Sequence, residues 1–138
     1  HPATDKNKYA QRFEGKMQIV EDDVYSLFDR VACVIGKSTG ALVEAVSLGI
    51  PVINIETGNG LSHDYLPEFG KGIVWENASN GAEIVKLIDM FSELLKTKAG
   101  LIHAIAKKYM EMYFCEPTDE RIDEAFELDE VTKTPLHS

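Results

Sequence analysis

The residues best suited to chemistry lie in one short stretch, Gly36-Lys37-Ser38-Thr39-Gly40. It follows the apolar run Val31-Ala32-Cys33-Val34-Ile35 and precedes a segment with Leu42, Ala45, Val46 and Leu48 at helical spacing. A helix begins with amide N–H groups that have no partner inside it. Together with the helix dipole, these groups attract an anion. Gly36 and Gly40 carry no side chain to obstruct a close approach. Ser38 and Thr39 add hydroxyl donors and Lys37 adds positive charge, so the residue types suit a phosphate or pyrophosphate. The same residues also make an ordinary helix start, with Ser38 as the N-cap and the glycines turning the chain. Residue types alone leave both readings open. Two familiar phosphate loops, G-x-x-x-x-G-K-[ST] and G-x-G-x-x-G, are not matched here.

Such a turn needs a strand to deliver it and a helix to leave from it. The continuous apolar run at 31–35 fits a strand buried on both faces, as in a parallel sheet. The helical pattern at 39–48 is stopped by Gly49, with Pro51 just beyond. Residues 51–55 predict the next strand, with proline at its first position. After a long irregular stretch at 56–72, Ile73-Val74-Trp75 predicts a short strand. Asn80, with Glu83 three residues on, resembles a capping box. It opens an amphipathic helix with Ile84, Leu87, Ile88, Phe91, Leu94 and Leu95 on one side. A further helix carries Ile102, Ile105, Ala106, Tyr109 and Tyr113, and a last one spans residues 119–126.

Upstream of the turn, residues 8–13 read as a short helix and residues 17–20 as a short strand. Asp22 and Asp23 are suited to cap a helix at 24–28. Strands alternating with helices predict an α/β fold, a Rossmann-like parallel sheet with helices on both faces. One domain is expected over residues 1–131, followed by a disordered tail at 132–138. Sheets of this kind bind ligands in the crevice outside the strand carboxyl ends, which is where the Gly36–Gly40 turn would lie.

Composition narrows the function classes. The chain has 138 residues, with 14 basic and 23 acidic side chains and a formal charge of −9. Nucleic-acid binding needs clustered cations to displace counterions from phosphates; none are clustered here, so no nucleic-acid partner is expected. Some of the acidity is local, between Glu116 and Glu130 near the C-terminus, and reads as a solvated acidic tail. No apolar run is as long as a membrane span. Cys33 and Cys115 are too few for a disulfide framework and lack metal-ligand spacing. Cys33, inside an apolar run, reads as a buried inert thiol. A start at His1 rather than Met is expected of a piece of a longer protein.

Other residues carry a functional and a plain reading together. Glu44 lies about one and a half turns into the helix after the turn, where its plain reading is a solvated helix residue. Thr57, Gly58 and Asn59 follow the strand at 51–55 and would share the edge of the turn, although turn chemistry explains them equally well. Ser62-His63-Asp64 lies in the same loop, where a lone histidine is more often simply exposed. Asn77-Ala78-Ser79 matches a glycosylation sequon by spacing alone, and Trp75 reads as core.

Taken together, residues 24–28, the run 31–35, Lys37-Ser38-Thr39-Gly40-Ala41-Leu42-Val43-Glu44-Ala45 and Leu48-Gly49-Ile50-Pro51-Val52-Ile53 resemble the C-terminal, donor-binding domain of GT-B glycosyltransferases. The resemblance covers roughly residues 16–115 and is sharpest over 23–55. Its "G-x-P-V-I" strand is shared across the superfamily and does not specify a reaction. His1-Pro2 is similar to a "His-Pro" pair in capsule polysaccharide transferases, sialyltransferase-like enzymes and teichoic-acid glycerophosphotransferases. In many retaining GT-B enzymes a glutamate stands eight positions before the one matched by Glu44. Here that position is Gly36, which points instead to the serine-turn families.

The resemblance implies one half of a GT-B architecture in a cytoplasmic transferase of surface polysaccharide synthesis, with no cofactor or metal. Lys37, Ser38, Thr39, Gly40 and His1 would hold the donor phosphate. Gly36, Glu44, Thr57, Gly58 and Asn59 would hold its nucleoside or sugar. Its partners would be a nucleotide-activated sugar, an N-terminal acceptor domain of the same protein and, peripherally, a membrane. Nucleotide-sugar 2-epimerases share the pattern and remain an alternative, as does a non-enzymatic flavodoxin-like binding or regulatory module.

Overall fold

A computed structural model describes residues 16–37, 39–58 and 66–126. The chain divides into two units, His1–Val31 and Ala32–Ser138. In the first, the Asp23 side chain accepts from the Tyr25 amide at 3.2 Å, as an N-cap should. It starts helix α1, Val24–Leu27, which tightens into a 3-10 turn at Phe28–Arg30. Phe28 is buried, with the Tyr25 ring edge-on at 5.7 Å. Residues 17–20, expected as a strand, join no ladder, and Met17, Ile19 and Val20 are exposed. An alternating pattern specifies a face. A strand also needs a neighbour for its backbone groups, and four residues do not encode one. The helix expected at 8–13 lies outside the described residues, as does the tail at 132–138.

The second unit is mixed α/β. Its elements are β1 (Val34–Gly36), α2 (Gly40–Ser47), β2 (Val52–Ile55), β3 (Trp75–Ala78), α3 (Gly81–Thr97), α4 (Ala99–Tyr113) and α5 (Asp119–Phe126). The three described strands form a parallel sheet in the order β1-β2-β3. Val34 pairs with Val52 and Val52 with Trp75, so Gly36, Asn54 and Asn77 share one rung near the carboxyl edge.

Alternation along β2 divides the core between two faces. Ile53 and Ala78 pack with Phe91 of α3, joined by Ile84, Leu87, Met90 and Leu94 from the same helix and by Cys33. On the opposite face, Leu42 of α2 lies where a side chain at Gly36 would go, and α4 packs on α2. Each fully buried Ile or Phe contributes about 1.5–3 kcal/mol relative to exposure, so these faces hold the sheet between its helices.

The helix ends follow local rules. Gly49 takes φ +81° after α2, a conformation that costs glycine little. Asn80 Oδ1 accepts from the Glu83 amide at 3.0 Å, while the Glu83 carboxylate accepts from the Ser79 amide at 2.6 Å. The reciprocal bond thus falls one residue earlier than in a standard capping box.

Three expectations shift. The first strand is shorter than the run at 31–35 and is an edge of the described sheet. Ile35 is therefore exposed rather than buried on both faces. Leu48, expected on the packed side of its helix, is exposed at the C-cap of α2. The strand expected at 73–75 begins at Trp75 instead, because Gly70 and Gly72, both at positive φ, use the preceding residues to turn the chain.

The outer edge of β3 is blunted. Val52 N–H donates to Val74 C=O and Glu56 N–H to Ala78 C=O, so the Trp75 and Asn77 backbone groups point away from β2. Trp75 C=O accepts from Gly72 N–H at 2.7 Å, and Asn77 N–H donates to the Glu76 carboxylate at 2.9 Å. Edge groups satisfied in this way do not template a further strand.

Candidate functional site

The turn between β1 and α2 lies at the carboxyl edge of the sheet. Thr39, in extended backbone with φ −132° and ψ 144°, is the N-cap of α2, and its side chain makes no capping bond. The Thr39 carbonyl accepts from the Leu42 amide at 3.1 Å. Gly40 is the first helical residue, and a side-chain carbon built on it meets no atom within 4 Å. The start of α2 is thus open at Gly40. Gly36 differs: a carbon built there would come within 3.0 Å of Leu42 Cδ2. Its missing side chain is what lets β1 and α2 pack closely, a use the turn pattern did not specify.

Lys37 leaves β1 and donates its ammonium to the Thr57 hydroxyl, which follows β2. Residues twenty positions apart meet because β1 and β2 are parallel neighbours whose trailing loops share one edge. Glu44, half-buried, stands four residues after Gly40 and so about one turn along α2 on the same side. Gly58 is exposed, and a carbon built on it meets nothing within 4 Å. Lys37, Thr39, Gly40, Thr57 and Gly58 are therefore all exposed residues of this edge, with Lys37 and Thr57 in direct contact. His1, Ser38 and Asn59 lie outside the described residues, as do Ser62, His63 and Asp64.

One group of residues was not singled out together from the sequence. Asn54, only 5% exposed, donates its side-chain amide to Asn77 Oδ1 at 2.9 Å. Asn77 in turn donates to the Glu56 carboxylate at 2.8 Å. The available signal was Asn54 itself, a polar residue inside the apolar strand Val52–Ile55, where burial requires a hydrogen-bond partner. The sequon match at Asn77 is one of spacing alone and carries no assignment. In the structure Asn77 is half-buried on β3, with both its side-chain nitrogen and its oxygen engaged.

Burial raises the Cys33 thiol from 9.0 to about 11. It is therefore fully protonated near neutral pH and a poor nucleophile. Cys115 is exposed. Among the described residues, no three His, Cys, Asp or Glu side chains converge as a metal site would require. None of the described helices is long and apolar enough to cross a membrane. A concavity between β3 and α3 is lined by Glu76, Asn77, Glu83, Lys86, Leu87 and Met90 and includes none of the turn residues. Leu87 and Met90 supply its apolar lining.

The arrangement at the carboxyl edge can bind an anion: an open helix start, an adjacent ammonium and a hydroxyl on the neighbouring loop. Among the described residues, no three potential metal ligands converge there. No known protein family, curated protein or solved structure matches the chain.

Proposed function

We propose that this chain is the donor-binding half of a GT-B-like glycosyltransferase, taking the diphosphate of a nucleotide-activated sugar at the start of α2. The observation that carries the reading is the convergence of Lys37, Thr57 and the open Gly40 at the carboxyl edge of a parallel sheet. Ligands of such sheets bind at that edge, and helix amides together with a cation stabilise charge developing on a leaving phosphate. Glu44, one turn further on, is suited to accept from ribose hydroxyls. The acceptor and the general base belong to a second domain of the same cytoplasmic protein, so this chain binds the donor and transfers nothing by itself. Association of the whole enzyme with a membrane is part of the same reading.

The test is a titration of the chain with uridine and cytidine diphosphate sugars, following the backbone amide resonances of Lys37, Thr39 and Gly40. Saturable shifts centred on these amides, weakened by Lys37→Ala, are expected. No saturable shift at these amides with any nucleotide would remove the reading.

A further inference from the structure

Thr57 stands just past β2, and the residue before it is tied to β3 twice. Glu56 N–H donates to the Ala78 carbonyl at 3.0 Å, and the Glu56 carboxylate accepts from the Asn77 side chain at 2.8 Å. The backbone that delivers Thr57 is therefore fixed to the sheet. Thr57 is also β-branched, so its hydroxyl has few positions to take. Lys37 is the opposite case. It directly follows Gly36, which is paired with Asn54 on β2, but its ammonium rides on a long side chain with much rotamer freedom to lose. Of the two partners in the Lys37–Thr57 bond, Thr57 is the fixed one and Lys37 the one that is placed. The bond has a defined direction. An ammonium only donates, whereas a hydroxyl can accept, so Lys37 Nζ donates to Thr57 Oγ1. An ammonium has three N–H groups, and both residues are exposed, which leaves the other N–H groups open to an anion.

We propose that Thr57 is a positioning residue for Lys37. It holds the ammonium at the carboxyl edge before the ligand arrives, so the ordering of the lysine side chain is met in folding rather than in binding. Thr57 then serves the phosphates of the ligand and not its nucleoside or sugar, the role that the resemblance implies for it. This rests on the reading of the carboxyl edge as a donor-diphosphate site and states which ligands Thr57 favours: any that carries the diphosphate, with or without a nucleoside.

The experiment titrates uridine diphosphate glucose and pyrophosphate against the wild type, Thr57→Val, Thr57→Ser, Lys37→Ala and the double variant Lys37→Ala with Thr57→Val, following the backbone amide resonances of Thr39 and Gly40. Valine keeps the branched shape and removes the acceptor. Thr57→Val is expected to weaken both ligands several-fold and by the same factor, and Thr57→Ser, which keeps the hydroxyl, to bind as the wild type does. In the Lys37→Ala background Thr57→Val should have no further effect, because the two residues act as one unit. A Thr57→Val loss confined to the nucleotide sugar, a loss that persists undiminished without Lys37, or no loss at all overturns the positioning role alone. Absence of saturable shifts at Thr39 and Gly40 with either ligand in the wild type overturns the reading of the edge and this proposal with it.

Discussion

Trp75 and Tyr109 hydrogen-bond the same carbonyl oxygen, that of Pro67. The indole Nε1 donates to it at 3.0 Å, and the phenol reaches it at 3.3 Å while also donating to the Phe69 carbonyl. Both rings are fully buried. The first strand residue of β3 and the C-terminal half of α4 therefore grip the chain at Pro67 and Phe69. Phe69 stacks on Tyr109 at 5.9 Å, and the Lys108 ammonium lies over the Phe69 ring at 4.3 Å. The grip is thus covered from outside.

Burial first, and the Tyr113 charge to a smaller degree, raise the Tyr109 hydroxyl from 10.0 to about 12, against a lowering contribution from Trp75. In the unfolded chain it ionises near its ordinary value. Between these values the folded state holds more protons than the unfolded one, so stability falls as pH rises from about 10 towards about 12. Cys33 adds a loss of the same sign from 9.0 towards about 11. In a Cys33→Ala background, Tyr109→Phe is expected to flatten the alkaline slope of the urea midpoint. At neutral pH it should cost about 1–2 kcal/mol for the lost hydroxyl bonds. An unchanged slope would show that Tyr109 ionises equally in both states.

Gly70 and Gly72 are both left-handed, at φ +85° and +78°, yet they stand in different surroundings. A carbon on Gly70 would meet Val74 Cγ2 at 2.8 Å and Ile105 Cγ2 at 3.0 Å, whereas one on Gly72 would find only Glu76 Oε2 at 3.9 Å. Gly72→Ala carries the backbone penalty alone, about 1–2 kcal/mol. Gly70→Ala adds overpacking of about 1–3 kcal/mol against β-branched side chains that have little room to rotate. Chemical denaturation of the two variants is expected to rank Gly70→Ala well below Gly72→Ala. Equal losses would mean that the loop end shifts to absorb the methyl group.

The sequence was most legible where a single residue decides a local event. Asp23 and Asn80 cap the helices they were expected to cap, Gly49 ends α2, and the helix at 119–126 begins and ends where its pattern did. Position within the sheet was less legible. An apolar run does not state whether its strand is central or at an edge, so Ile35 was expected inside and is exposed. The blunting of β3 by Glu76 and Gly72 required knowing which backbone groups face away from β2. The turn at Gly36–Gly40 could be located from its neighbours, but its contact with Thr57 and the Asn54–Asn77–Glu56 relay could not. These join residues 20 and 23 positions apart through strand register, which no local pattern carries.

Gly40 and Gly36 separate ligand binding from stability. Gly40 has no positive φ and no neighbour within 4 Å of a built carbon. Gly40→Ala should therefore leave stability unchanged or raise it by up to about 1 kcal/mol, as alanine does in a helix. Helical Cα–Cβ bonds tilt towards the N-terminus, so the new methyl group enters the space in front of the free amides where a phosphate would rest. Gly36→Ala does the reverse. It presses on Leu42 Cδ2 at 3.0 Å and should cost about 1 kcal/mol or more through overpacking, without obstructing the helix start. Thermal unfolding and nucleotide-sugar titration of both variants should therefore cross over: Gly40→Ala stable but weak in binding, Gly36→Ala less stable but competent at temperatures where it is folded. A Gly40→Ala variant that binds as the wild type does would remove the donor phosphate from the start of α2.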